Sequence, residues 1–245
     1  MSPPSEFARL AARPIDRVHI AASTVPSIEE LAAIDWPHAV LPSHAAPVVS
    51  FLASNGMTWE EIQAPLRYTP HDRIRARLNL CAENNVLTFD DRFISYTPEG
   101  RAAAEACLDA RAVALAEKWS NSPDAVNSLL DLLTGPVELA RAANMPSLSV
   151  HDRAIETPNP TPGSDLWLML ANIRRFRADC HAESWTSAGY TAESIVALTH
   201  NDPKRRPIEA HTDELNGRIW ASYNSNDQLY CLSALASLDG SGTPT

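Results

Sequence analysis

Residues 86–101 have the sequence Val-Leu-Thr-Phe-Asp-Asp-Arg-Phe-Ile-Ser-Tyr-Thr-Pro-Glu-Gly-Arg, and this stretch constrains the fold more than any other. Its two runs of apolar and β-branched residues, 86–89 and 93–96, flank a short charged turn, which is the pattern of a β-hairpin. Thr97 and Pro98 then supply an N-cap residue and a proline at the first helical position. The stretch therefore predicts a two-stranded ribbon followed directly by a long helix.

Several helix signals precede the hairpin. Capping boxes at 27–30 (Ser-Ile-Glu-Glu) and 58–61 (Thr-Trp-Glu-Glu) each predict a short helix, and a further helix is expected through 48–54. A Thr-Pro pair starts another helix over 70–84, whose apolar residues recur at helical spacing. Helices followed by a ribbon and an exit helix are the order of a winged helix, so residues 27–119 are predicted to form one winged-helix-like unit.

An internal repeat predicts a second unit of the same kind. Residues 54–73 and 187–206 align without gaps and share eight identities, where composition alone predicts roughly one or two. The second copy continues into two short apolar runs within 218–232, on either side of an Asn-rich turn, which predicts a second wing. The expected fold class is mainly α with small β-hairpins (α+β), as two winged-helix-like repeats joined by a helical connector.

The predicted organisation has six parts. In chain order they are an N-terminal arm lying on the surface (1–26), winged-helix-like repeat 1 (27–119), a helical connector (120–156), a Pro-rich linker (157–164), winged-helix-like repeat 2 (165–238) and a disordered tail (239–245).

The composition fits a folded protein without an evident polyanion-binding surface. Apolar residues make up 44% and charged residues 20% of the 245 residues, which is enough for a sizeable core. Lys and Arg number 20 against 30 Asp and Glu, for a net charge of −10, and neither half of the chain is basic. Charge therefore points away from nucleic acid and anionic lipid as partners.

The cysteines and the hydropathy pattern predict a cytoplasmic protein. The four cysteines lie far apart in apolar segments without a C-x-x-C pair, which favours buried thiols in a reducing compartment over disulfides. The sequence has no apolar core of a signal peptide and no run of 18 apolar residues, so neither secretion nor a membrane span is expected.

No motif for a cofactor or metal is present. The sequence contains no P-loop, G-x-G-x-x-G, H-E-x-x-H or G-x-S-x-G, and its histidines do not reach the ligand spacing of a metal site. We therefore expect no cofactor and no metal, which leaves proton transfer, elimination or intramolecular displacement as the accessible chemistry.

The densest polar cluster lies in residues 174–185 (Arg-Arg-Phe-Arg-Ala-Asp-Cys-His-Ala-Glu-Ser-Trp) of a strongly apolar helix. In the functional interpretation, Arg177 clamps an anion or carboxylate while Asp179 orients His181 as an acid or base. His38, on a loop after Trp-Pro, is the third catalytic candidate, although it also fits a capping or surface residue. The Arg–Asp–His set fits equally well a structural network that pins one repeat to the other.

Four residues are expected to bind substrate in a cleft between the repeats. They are Arg174, Arg177, Trp167 and Trp185.

The chain resembles an actinobacterial family of winged-helix, MarR-like proteins of unassigned activity. The likeness rests on Leu166-Trp167 with Arg174-x-x-Arg177-x-Asp179-x-His181, and on the segment 36–40 (Trp-Pro-His-Ala-Val). The family has Gly-Asp-Gly-His where this chain has Ala-Asp-Cys-His at 178–181. The resemblance implies a winged-helix fold and a pseudo-symmetric pocket near His38 and His181, and it implies no reaction.

Three functions remain open from the sequence. The favoured one is a cofactor-independent enzyme of bacterial specialised metabolism, such as antibiotic biosynthesis, which performs an elimination or ring closure on a polar or anionic substrate. A second is a winged-helix transcriptional regulator that presents the helix 70–84 to DNA, and the acidic wing tip Asp90-Asp91 opposes it. A third is a non-catalytic subunit of a heteromeric complex. The expected partners are a small-molecule substrate, a homo- or hetero-oligomer, and DNA only under the second hypothesis.

Overall fold

The computed structural model describes residues 2–26, 54–90, 92–199 and 201–239. This part of the chain is mainly helical, with one small antiparallel sheet, as the sequence predicts. The helices are α1 (Pro4–Ser23), α2 (Trp59–Gln63), α3 (His71–Glu83), α4 (Pro98–Lys118), α5 (Pro123–Ala142), α6 (Pro146–His151), α7 (Pro162–Ser187), α8 (Ala192–Ala197), α9 (Arg205–Gly217), a 3₁₀ turn (Arg218–Trp220) and α10 (Ser225–Asp239). The strands are β1 (Met57–Thr58), β2 (Leu87–Phe89) and β3 (Phe93–Tyr96).

The predicted hairpin and exit helix are confirmed. β2 pairs with β3 in antiparallel register, and β1 adds to the other side of β3, which gives the order β1-β3-β2. Thr97 caps α4 by accepting a hydrogen bond from the Gly100 N–H at 2.9 Å. A Cβ on Gly100 would lie 1.7 Å from the Val86 carbonyl oxygen, so only glycine lets α4 pack this closely against the chain entering β2.

The buried apolar residues form two hydrophobic clusters. The smaller one fills the space between the sheet, α2 and α3, with Ile62, Leu78 and Ile94 at its centre. The larger one is a helical bundle around α7, a helix of 26 residues that packs against α1, α5, α6 and α9. α7 lies at the centre of this bundle and also carries many polar residues. A polar site is therefore expected along α7.

The expectation that residues 1–26 form a surface arm is wrong for the described part. Residues 4–23 form α1, which begins with a proline at its first position and continues through Pro14. Its inner face is fully buried in the larger cluster and consists of Phe7, Ala8, Ala11, Ile15, Val18 and Ala22. This spacing is that of an amphipathic helix, so packing outweighs the hydrogen bond that Pro14 removes.

The predicted second wing is also wrong. Residues 218–220 form the 3₁₀ turn, and residues 225–239 form α10 instead of a strand. The Asn224 side chain accepts hydrogen bonds from the backbone N–H groups of Asn226 and Asp227, so the Asn-rich turn starts a helix.

Some predictions fall on residues that the structure does not describe. These are His38, the helix expected at the capping box 27–30, the helix expected through 48–54 except for its last residue, and the tail after residue 239. The four cysteines lie in the described part and are free thiols. Among the described residues, no helix is both long and apolar enough to cross a membrane.

Candidate functional site

A cavity of about 370 Å³ lies between α1, α7 and α9, and Tyr68 from the loop before α3 also lines it. Its wall combines charged, polar and small apolar side chains. They are Ala8, Ala12, Ile15, Asp16, Tyr68, Ile173, Arg174, Arg175, Arg177, Ala178, His181, Glu209, Thr212, Asn216 and Trp220. The cavity thus contains three of the predicted site residues, Arg174, Arg177 and His181.

Two aromatic residues hold His181 in the wall of the cavity. Its Nδ1 lies 2.9 Å from the Tyr68 hydroxyl, and the same hydroxyl accepts a hydrogen bond from the Trp185 Nε1–H at 3.1 Å. Since a phenol can donate to Nδ1 or accept from it, the Tyr68 contact suits either neutral tautomer of His181. Trp185 thereby contributes to the site indirectly, because it fixes the tyrosine rather than lining the cavity.

The second ring nitrogen of His181 faces an acidic neighbour. Nε2 lies 3.6 Å from the Glu209 carboxylate, is buried, and has no hydrogen-bond partner among the described residues. Burial lowers the pKa of His181, and it does so against the Glu209 carboxylate, which raises it; Arg205 and Arg177 lower it further. The lowered pKa therefore favours the neutral imidazole near pH 7.

The two predicted substrate-binding arginines on α7 are already in ion pairs. Arg177 donates to Asp213 on α9 at 2.7 Å and lies 3.7 Å from Glu209. Arg174 contacts Asp16 on α1 through its Nε at 2.5 Å. These ion pairs connect α7 to α9 and to α1, and they orient the guanidinium groups that line the cavity.

The structure does not bring Asp179 to His181. Its side chain is 1% exposed and accepts hydrogen bonds from the backbone N–H groups of Ser147 and Leu148, and it also binds the Arg67 guanidinium. The carboxylate therefore caps the N-terminus of α6 and anchors a residue from the small sheet region. Asp179 fits the structural alternative that the sequence left open.

Trp167 also lies away from the cavity. Its indole N–H donates to Ser23 at 3.0 Å, and its ring stacks on His19 with a centroid distance of 5.8 Å. The Nδ1 of His19 accepts a hydrogen bond from Arg174 at 2.7 Å. Burial, reinforced by the charges of Arg174 and Arg175, lowers the pKa of His19 to about 2. His19 is therefore a neutral imidazole that accepts a hydrogen bond from Arg174 and helps to hold its guanidinium group in place.

The state of His19 predicts a pH dependence of stability. Below its ordinary pKa of 6.5 the unfolded chain binds a proton that the folded chain does not, so acid favours unfolding. Between pH 6.5 and pH 5.0 this residue alone should lower the free energy of unfolding by about 2 kcal/mol. Urea denaturation at both pH values measures this decrease in the free energy of unfolding, which should be smaller in a His19→Asn variant than in the native protein. Equal decreases in the two proteins would contradict the lowered pKa of His19.

Two further cavity residues carry buried polar atoms without a partner in the described part of the chain. They are Asn216, through Oδ1, and Trp220, through Nε1. Both side chains are at most 2% exposed. Such atoms are rare in folded proteins and call for a ligand, an ion or a water molecule.

Several residues of the site were missed by the sequence analysis. Tyr68 follows no motif, Glu209 and Asn216 belong to an unremarkable helix, and Trp220 matches an ordinary core tryptophan. His38 lies outside the described residues. Among those described, no group of three or more His, Cys, Asp or Glu side chains is arranged to hold a metal ion.

No protein-family model matches the chain, and neither curated proteins nor solved structures give a match. The site is therefore interpreted from its own geometry.

Proposed function

We propose that this protein is an enzyme that uses no cofactor and transfers a proton to or from a small polar or anionic substrate in the cavity between α1, α7 and α9. The observation that carries the proposal is the buried Nε2 of His181, a residue of the cavity wall beside Glu209, which has no hydrogen-bond partner in the described ranges of the chain. A neutral imidazole whose other nitrogen is held by a tyrosine has the arrangement of a general acid or base.

An elimination or ring closure suits the groups around His181. The imidazole would take a proton from the substrate, the bonding pair would form the new bond, and the leaving group would depart as an anion. The guanidinium groups of Arg174 and Arg177, which line the same cavity, would stabilise that anion.

The enzyme proposal is tested with an extract of small bacterial metabolites and mass spectrometry. The native protein is expected to consume at least one compound, and His181→Asn is expected to slow that consumption by about 100-fold or more, since asparagine transfers no proton near pH 7. His71→Asn, at an exposed histidine on α3, is the matched control and should remain fully active. No consumption by the native protein, or equal rates for native protein and His181→Asn, would refute the proposal.

We also propose that residues 54–118 form a winged-helix-like unit. Its support is the order β1, α2, α3, β2, β3, α4, together with the sheet in which β1 pairs beside the hairpin. The repeat is supported by matching local geometry in both copies. Gly56 and Gly189 have positive φ values of 85° and 80°, and Thr58 and Thr191 close capping boxes two residues later. Each copy then leads into a helix of 13 residues, α3 or α9.

DNA binding by this unit is the weaker alternative. Arg67, just before the helix that would face DNA, is bound to Asp179, and Arg75 stacks at 4.3 Å over the ring of Trp59. At the wing turn, backbone hydrogen bonds lower the pKa of Asp90 and keep it charged. Salt-dependent binding of the native protein to random duplex DNA near micromolar affinity would favour the regulator instead.

A further inference from the structure

Two residues of the cavity wall, Asn216 on α9 and Trp220 on the 3₁₀ turn, each carry a buried polar atom that has no hydrogen-bond partner among the described residues. His181 faces Glu209 and Arg177 faces Asp213, so α7 and α9 run antiparallel and the cavity follows α9 toward Trp220. Eleven residues separate Glu209 from Trp220, which corresponds to about 16 Å of helix. A ligand that contacts both ends of this segment would place a reacting group beside Glu209 and a recognition group beside Trp220, which we call the recognition end.

The recognition end offers one acceptor and one donor. Asn216 lies in the last turn of α9, and Trp220 ends the 3₁₀ turn that follows, four residues further along the chain. The carbonyl oxygen of Asn216 needs an N–H or O–H, and the indole N–H of Trp220 needs an acceptor. A secondary amide supplies both, because its N–H and its C=O point in opposite directions.

One guanidinium group of the cavity offers a donor for an anion next to this amide. Arg174, Arg175 and Arg177 line the cavity together with the carboxylates of Asp16 and Glu209, and Asp213, outside the lining, also pairs with Arg177. Arg174 binds Asp16 through Nε and His19 through Nη1, and its Nη2 makes no hydrogen bond to a described residue. A ligand carboxylate would be the additional acceptor.

The remaining wall is apolar and small. Ala8, Ala12 and Ile15 of α1 and Ile173 of α7 line the cavity between the polar groups. This surface accommodates an aliphatic side chain and offers it no hydrogen-bonding group.

We propose that the cavity binds an N-acylated amino acid, or a molecule with the same secondary amide, carboxylate and aliphatic group. The amide pairs with Asn216 and Trp220, the carboxylate binds the guanidinium groups, and the aliphatic group lies on α1. This assignment rests on the proposed function, because it names the substrate class of the same cavity.

The test uses N-acetyl-L-leucine as the probe and the tryptophan indole N–H signals in ¹H–¹⁵N NMR spectra of the full chain. The Trp220 signal, assigned by its loss in Trp220→Phe, is expected to shift saturably. Two analogues are compared with this probe. In the first, an ester, oxygen replaces the amide N–H; the second is N-acetyl-L-leucinamide, which keeps the acetyl amide but has a primary amide in place of the carboxylate. Each is expected to bind about 10-fold more weakly, because each leaves a cavity group unpaired.

The matched control is Trp119→Phe. Trp119 also has a buried Nε1 without a partner among the described residues, but it does not line the cavity. Affinity for N-acetyl-L-leucine should decrease about 10-fold in Trp220→Phe and remain unchanged in Trp119→Phe. In Asn216→Leu, the preference for the amide over the ester should disappear. Equal affinity for the acid, ester and leucinamide, or an unmoved Trp220 signal, would overturn the assignment.

The two proposals fail in different ways. Saturable binding of the probe without consumption of any extract compound would refute the enzyme and leave the ligand class intact. Consumption, dependent on His181, of compounds that lack an amide or a carboxylate would refute the ligand class and leave the enzyme intact.

Discussion

Asp179→Asn is expected to lower the free energy of unfolding by about 3–5 kcal/mol, as measured by urea denaturation at pH 7. The substitution keeps the shape of the side chain but removes the charge that Arg67 and the N-terminus of α6 share. Since Arg67 is also largely buried, at 15% side-chain exposure, its guanidinium would lose its carboxylate without gaining full contact with water.

The exposed ion pair between Arg141 and Asp152 provides the control for Asp179→Asn. Its side chains are 50% and 40% exposed, so Asp152→Asn should change stability by less than about 1 kcal/mol. Equal effects of the two substitutions would show that Asp179 contributes nothing beyond a surface charge. Full stability combined with lost activity in Asp179→Asn would instead return Asp179 to the catalytic role that the sequence suggested.

Phe7→Ala is expected to lower the free energy of unfolding by about 3–5 kcal/mol. Phe7 is 1% exposed and packs edge-on against Trp220, with ring centroids 5.2 Å apart, and against Tyr223 at 5.5 Å. Alanine would leave a cavity that this aromatic group cannot refill without moving α1.

Leu10→Ala on the same helix is the control, because Leu10 is 42% exposed. It should cost less than about 1 kcal/mol in the same chemical denaturation experiment. If Phe7→Ala were as mild as Leu10→Ala, α1 would be a detachable arm, as the sequence analysis expected, and the bundle would not depend on it.

The local parts of the fold could be predicted from the sequence. The capping box at 58–61, the Thr-Pro start of α4 and the apolar runs 86–89 and 93–96 specify short-range structure, and the structure confirms each. Where prediction failed, a local signal was given too much weight. Residues 1–26 were expected to form a surface arm although their apolar residues recur at helical spacing. The turn at Asn224 was mistaken for a hairpin although it caps a helix.

The site could be predicted only as far as the helix that carries it. Successive residues of a helix are about 100° apart, so Asp179 and His181 are separated by about 200° and point to opposite sides of α7. That argument was available from the sequence and speaks against a direct Asp–His contact. In contrast, Tyr68 and Glu209 reach His181 from segments distant in the chain, and no spacing rule announces such tertiary neighbours.

Arg67 and Tyr68 are consecutive residues that contact two different side chains of α7. The first is tethered to Asp179 on α7, and the second positions the imidazole of His181. A ligand that binds His181 only while Tyr68 holds it would bind more tightly when Arg67 keeps this segment on α7, and by reciprocity its binding would favour that attachment by the same factor.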